Sequence, residues 1–219
     1  IGSDGKGLNH LGRILMELRD TLACKSLEET TIEEVRMTPS LQERYRGCLL
    51  GLACGDAVGT AVEFRSRGSF APLTDMIGGG PFGLEPGQWT DDTSMALCLA
   101  ESLINKGGFD ANDQMGRHLN WWQWGYLSST GECFDIGATV RQALMQYQQT
   151  GNPFAGSTDP QTAGNGSLMR LAPVPLFYYP DIAQVIKFSA ESSRTTHAAP
   201  EAIECCQLFG EILANAPQG

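Results

Sequence analysis

Pro86-Gly87-Gln88-Trp89-Thr90-Asp91-Asp92-Thr93-Ser94-Met95-Ala96 is the most informative stretch of this chain. A Gly/Pro-rich approach, Gly78-Gly79-Gly80-Pro81-Phe82-Gly83, leads into two adjacent carboxylates flanked by threonine hydroxyls. Apolar residues then recur at helical spacing, at Met95, Leu97, Leu99, Leu103 and Ile104. Thr90 or Asp91 is therefore the expected N-cap, with hydroxyl and carboxylate oxygens at the mouth of a helix. Hard divalent cations take oxygen donors of this kind, and Mg²⁺ or Mn²⁺ needs only a few carboxylates plus water. The same residues also make an ordinary acidic first turn that complements the helix dipole. The neighbouring motifs decide between the two readings.

Upstream, Gly47, Gly51, Gly55 and Gly59 recur every four residues within 46–64. On a helix they form one smooth stripe, which allows close approach of another backbone at a cost in helix propensity. Tight helix packing is the expected role of most of them. Asp56 and Glu63 in this stretch exclude a membrane span. Glu63 falls just past the apolar helix, where a carboxylate can serve as a lid or an acid/base group. Downstream, Gly164-Asn165-Gly166-Ser167-Leu168-Met169-Arg170 is a small-residue loop able to cradle a phosphate or ribose through backbone N–H groups. Asn-Gly is also an ordinary turn, so this loop alone decides nothing.

The remaining pattern is helical. Leu8, Leu11, Leu15, Leu18 and Leu22 step by three and four, one apolar stripe on a helix. Further helices are predicted over 42–62, 92–106, 113–124, 136–150, 181–193 and 200–214. Gly107-Gly108 and Gly151-Asn152-Pro153 supply stop signals. Trp121, Trp122 and Trp124 crowd one helix and are expected to pack in the core. His197, with Thr195 and Thr196, sits just before the last helix, a good place for an anion contact. No strand alternation and no internal repeat stand out. The predicted class is all-α.

Composition narrows the setting. The 219 residues allow one sizeable domain, with 42% hydrophobic residues. No apolar run approaches the roughly 18 residues of a bilayer span, and no secretory signal pattern opens the sequence. Seven cysteines without CxxC spacing read as reduced thiols, consistent with a cytoplasmic protein. A formal net charge of −10 makes a nucleic-acid backbone a poor partner. It also repels a free phosphorylated ligand, so any such pocket must supply local N–H donors.

Five motifs in order give these pieces a family. They are Gly55-Asp56-Ala57-Val58-Gly59 with Glu63; Trp89-Thr90-Asp91-Asp92-Thr93; Cys133-Phe134-Asp135-Ile136-Gly137-Ala138-Thr139; the 164–170 loop; and Ser193-Arg194-Thr195-Thr196-His197. Together they resemble the ADP-ribosylglycohydrolase family, from about Arg44 to the last residue. The resemblance implies an all-α, orthogonal multi-helix bundle holding two divalent metal ions, Mg²⁺ or Mn²⁺, in a central cleft. It implies Thr90, Asp91 and Asp92 as metal ligands and Glu63 near the scissile bond. Asp135 would contact substrate or shuttle a proton. Gly164, Asn165, Gly166, Ser167 and Met169 would line an ADP-ribose pocket, with His197 near the diphosphate or ribose. Family members carry a second Asp-x-Asp-Thr motif near their C-terminus. The 219 residues contain none and begin with Ile1, as expected of part of a longer protein.

The expected organisation is an extension over 1–40 and a family core over 41–219. The leading function is metal-dependent removal of ADP-ribose from a modified protein side chain, arginine first. Breaking that glycosidic bond passes through an oxocarbenium-like transition state, which carboxylates manage. The chain also resembles a subgroup of immunity proteins against ADP-ribosyltransferase toxins. In that reading the acidic extension, with Glu28, Glu29, Glu33 and Glu34, occludes the toxin's NAD cleft, with or without hydrolysis. A third reading keeps the fold and takes a small ADP-ribosyl compound or related N-glycoside as substrate. Acceptor identity is not legible in the motifs.

Overall fold

The computed structural model describes residues 39–216. Seven α-helices follow one another: α1 Leu41–Gly59, α2 Asp91–Lys106, α3 Ala111–Trp124, α4 Ala138–Thr150, α5 Pro173–Tyr178, α6 Ile182–Arg194 and α7 Pro200–Asn215. One-turn 3-10 helices occur at Thr60–Val62 and Pro160–Thr162. Among the described residues there is no strand, only isolated bridges between Gly79 and Leu84 and between Ser157 and His197. The all-α expectation holds. The helix expected through Leu8 to Leu22 and the acidic run of the extension lie outside the described residues.

Local chemistry fixes the ends of these helices. Ser40 caps α1 in a capping box, its hydroxyl accepting from the Glu43 amide while Glu43 reaches back to the Ser40 amide at 2.7 Å. Gly107 stops α2 at φ +64, donating back to the carbonyls of the last turn. The short α5 is not among the helices predicted from the sequence; Pro173 opens it, and proline is well suited to the first helical position.

α2 is the axle of the molecule. Every residue from 93 to 103 is buried, so this helix is enclosed on all sides rather than amphipathic. Leu97 and Ala100 meet Tyr45 and Leu49 of α1 and Leu176 of α5. Met95 and Cys98 meet Met115 and Trp121 of α3 and Val140 and Leu144 of α4. Leu99 and Leu103 meet Leu171, Val174 and Cys206. Each such buried side chain stabilises the fold by about 1.5–3 kcal/mol. An α2 gripped on three faces cannot shift, so its N-terminus is a fixed platform.

Two expectations need correcting. Gly47, Gly51, Gly55 and Gly59 face outward, and no described atom lies within 4 Å of where their Cβ atoms would sit. The apolar side of α1 that packs is instead carried by Tyr45, Leu49, Ala53 and Ala57. The tryptophans also separate by helix phase: Trp121 is 1% exposed in the core, Trp122 is partly buried against it, and Trp124 is 76% exposed. All six described cysteines are free thiols, as expected. No helix among the described residues is long and apolar enough to cross a membrane.

Candidate active site

The site begins where the last turns of α1 meet the N-terminus of α2. Thr90 occupies the N-cap position, yet its side chain caps nothing in its own helix. Asp56, reaching across from α1, does that job. Its carboxylate accepts from the Thr90 amide at 3.0 Å and hydroxyl at 2.8 Å, and from the Thr93 amide at 3.1 Å and hydroxyl at 2.6 Å. Two orphan N–H groups of the helix start are thereby satisfied from outside. The Thr90 hydroxyl proton is committed to Asp56, which leaves that oxygen's lone pairs for another partner.

Four more carboxyl groups converge on this platform. Asp91 is buried at the first position of α2, and Asp92 is half-buried beside it. Glu63 follows the 3-10 turn that ends α1. Asp135 arrives from the loop before α4 and lies within hydrogen-bonding reach of both Glu63 and Asp91. Burial, then the neighbouring Asp135, Asp92 and Asp56 charges, pushes Asp91 up to about 9. Burial and Asp56 raise Asp92 to about 6, and burial and Asp135 raise Glu63 to about 7. Burial also raises Asp135. No cation is among the causes acting on Asp91, Asp92, Glu63 or Asp135. Among the described residues no ion pair reaches any of these carboxyl groups, and the buried Arg170 charge acts on Asp91 without a direct contact.

The backbone carries strain here. Asp135 sits at φ +57 and Phe64, next to Glu63, at φ +59, a left-handed conformation that costs non-glycine residues free energy and gathers at functional sites. Phe82 bridges the two loops: its ring centroid lies 6.3 Å from that of Phe64 and 5.3 Å from that of Phe134. Gly80 lets the approach loop press against the Thr60 carbonyl, where any Cβ would clash. The aromatic bridge and this close approach hold the Glu63 and Asp135 loops beside α2.

A second polar centre lies behind the 164–170 loop. Asn165 turns the chain by accepting at its carbonyl from the Leu168 and Met169 amides, at 2.8 and 3.0 Å. Gly164 and Gly166 face the His197 ring; a Cβ on Gly166 would stand 2.8 Å from His197 Cε1. Ser167 and Met169 behave otherwise than pocket-lining side chains. Ser167 turns into the core, accepting from Ser193 Oγ at 2.8 Å and sharing a hydrogen bond with Cys206 Sγ, while Met169 packs against the Met95–Trp121 cluster. Gly164 and Gly166 thus close over the buried His197 ring, with Asn165 turning the chain between them, and Ser167 and Met169 support the loop from beneath. Cys133 and Ile136, flanking Asp135, rest on the same apolar cluster.

The ADP-ribosylglycohydrolase family model matches residues 37–219. This chain belongs to the ADP-ribosylglycohydrolase family. It is 47% identical to the ADP-ribosylarginine hydrolase Tri1 of Serratia proteamaculans over 78% of its own length and 46% of that protein's. It is 35% identical to the ADP-ribosyl-[dinitrogen reductase] glycohydrolase of Rhodospirillum rubrum, over 80% of this chain and 58% of that one. Among solved structures, one described as an ADP-ribosylglycohydrolase-related protein complex matches with a TM-score of 0.71 and 44% identity, covering 82% of this chain and 58% of its own. The chain spans about half the length of the curated relatives it matches.

With the family in place, two residues missed as site members stand out. Asp56 was legible only as part of a glycine-spaced motif; an acid inside an otherwise apolar helix that ends at a second acid is the signal that could have marked it. Arg170 closes the small-residue loop, and nothing in sequence announces that its guanidinium is fully buried.

Proposed function

We propose that the chain carries the first part of the catalytic cleft of a hydrolase that releases ADP-ribose from modified protein side chains, arginine first. The observation that supports it is the convergence of Glu63 and Asp135 on the Thr90-Asp91-Asp92 platform, where among the described residues no ion pair balances them. The names of two relatives, ADP-ribosylarginine hydrolases from Serratia proteamaculans and Pseudomonas putida, favour the arginine linkage.

Thr90, Asp91 and Asp92 are the residues that would hold two divalent cations, Mg²⁺ or Mn²⁺, as proposed cofactors. The donor set fits: two hard carboxylates in a sterically fixed first turn, and a hydroxyl whose proton is already engaged by Asp56. Among the described residues no group of three His, Cys, Asp or Glu side chains forms a metal cage of its own. Thr90, Asp91 and Asp92 are therefore part of a ligand set, completed by water and by oxygens from elsewhere. When bound, such ions would orient ribose hydroxyls and lower the pKa of a water.

Glu63 and Asp135 supply the acid/base chemistry. Two carboxyl groups in contact share a proton rather than ionise together, so one of the pair is a donor near neutral pH. In the proposed reaction the bond between the ribose anomeric carbon and the arginine nitrogen breaks. Water adds to that carbon, its oxygen forming the new bond, and one proton goes to the departing guanidine. Asn165, Gly166 and His197 would hold the ADP-ribose through N–H donors, with Gly164, whose amide donates to the Thr162 carbonyl, giving close backbone approach; a chain of net negative charge needs such donors at an anion site. The proposed partner is an ADP-ribosylated protein. The occlusion role rests on the extension, most of which lies outside the described residues, and no observation here favours it or a small-molecule substrate.

The test is release of ADP-ribose from an arginine-ADP-ribosylated protein by the natural full-length polypeptide, with Mg²⁺ or Mn²⁺ and then EDTA. Metal-dependent release is expected, falling about 10²- to 10⁴-fold in Glu63→Gln and Asp135→Asn. Wild-type turnover in both variants would remove the carboxyl pair from the mechanism.

A further inference from the structure

The buried polar centre behind the 164–170 loop is organised around Arg170, a fully buried guanidinium whose hydrogen bonds go to neutral acceptors. Its Nη1 donates to the Gly166 carbonyl at 3.2 Å. Its Nη2 donates to the Ser192 carbonyl at 3.1 Å, to Thr195 Oγ1 at 3.2 Å and to Thr196 Oγ1 at 2.8 Å. One side chain therefore ties the glycine loop to the 192–197 turn that delivers His197.

The two adjacent threonines dispose of their protons differently. Thr195 Oγ1 donates to the Ser192 carbonyl at 2.7 Å. Thr196 Oγ1 accepts from Arg170 and lies 2.9 Å from His197 Nδ1. Since a guanidinium has no acceptor, His197 Nδ1 is the acceptor in place for the Thr196 proton. A proton on Nδ1 would also stand nearer the buried cation than one on Nε2. We propose that Arg170 and Thr196 are positioning residues that hold His197 as the tautomer with its proton on Nε2. Nε2 is the nitrogen that faces Gly164 and Gly166. Burial and the Arg170 charge lower His197 to about 4, so the ring is neutral at physiological pH and has a single N–H to place. The loop is thereby given a fixed side-chain donor, suited to a phosphate or ribose oxygen. This ligand class rests on the ADP-ribose pocket proposed above; the tautomer does not.

The test is long-range ¹H–¹⁵N correlation NMR on the ¹⁵N-histidine-labelled 219-residue chain, with His197 assigned by His197→Gln. The expected pattern is a single Nε2–H tautomer in wild type and in Thr196→Ser, and a tautomer mixture in Thr196→Val. An Nδ1–H tautomer or a mixture in wild type would overturn the proposal, as would identical spectra for wild type and the valine variant. Calorimetric titration with ADP-ribose separates the pocket reading: roughly tenfold weaker binding is expected for Thr196→Val and near-normal binding for Thr196→Ser, the scale of one lost charge-assisted contact. Failure of wild type to bind ADP-ribose, with the tautomer pattern intact, sinks the pocket and leaves the relay standing.

Discussion

The molecule has two polar centres of opposite design. Around Arg170 the two Nη atoms of a buried cation are met by carbonyls and hydroxyls from the loop and the turn, while Nε has no partner. Around Asp91 five carboxyl groups meet, and among the described residues no ion pair reaches them. The first centre ties the glycine loop to the turn that carries His197 and keeps both still. The second is tolerable only because α2 is gripped on three faces, and protonation relieves part of its repulsion. The Arg170 centre, tied across the chain, serves the fold; the carboxylate centre, crowded with like charge, is left unfinished for a ligand.

The largest expected effect lies at the Arg170 centre. Arg170→Ala takes the donor from the Gly166 carbonyl and Thr196 Oγ1, at about 1–3 kcal/mol each, and opens a cavity, so urea denaturation should show a loss of at least about 3 kcal/mol. A loss below about 1 kcal/mol would mean that the network is not integral to the fold. Comparable in scale is the contrast along α3: Trp121→Ala should cost about 3–5 kcal/mol, and Trp124→Ala, solvent-exposed, within about 0.5 kcal/mol. Equal losses would contradict the helix phase.

At the unfinished centre the expected effect is smaller and depends on pH. Asp91, held up to about 9, and Glu63, up to about 7, bind protons more tightly folded than unfolded. Unfolding therefore releases protons, and their contribution is present at low pH and lost as pH rises through those values. His118 and His197, both lowered by burial and by Arg170, cost stability only as pH falls below the unfolded value of about 6.5, outside this window. Between pH 7 and 8.5 the metal-free chain should thus lose thermal stability, and Asp91→Ala with Asp92→Ala should flatten that slope. A wild-type slope that is flat or rising would contradict the raised carboxyls.

Much of this was legible in the sequence, for identifiable reasons. α2 could be placed because Thr90-Asp91-Asp92 is a start signal and Gly107 a stop signal, both set by local chemistry. The ends of α4, α6 and α7 were bounded likewise by glycine, aspartate and proline. Helix phase was harder: whether Trp124 or Trp121 enters the core depends on which way α3 is rotated by packing on α2. The glycine stripe of α1 shows the same limit, since small residues permit a contact without specifying one. Asp56 and Arg170 were hidden for a different reason. Their partners lie 34 to 37 and 22 to 26 residues away, and nothing local records such pairings.

The most direct test is thermal unfolding of the metal-free 219-residue chain at pH 7.5, with and without excess Mn²⁺, beside the Asp91→Ala, Asp92→Ala double variant. A cation that binds the folded state alone raises the midpoint by mass action. The account expects Mn²⁺ to raise the wild-type midpoint and leave the double variant unmoved, with both folded at the outset. No shift in wild type, or the same shift in both proteins, would contradict the claim that this carboxylate cluster is built to be completed by a metal.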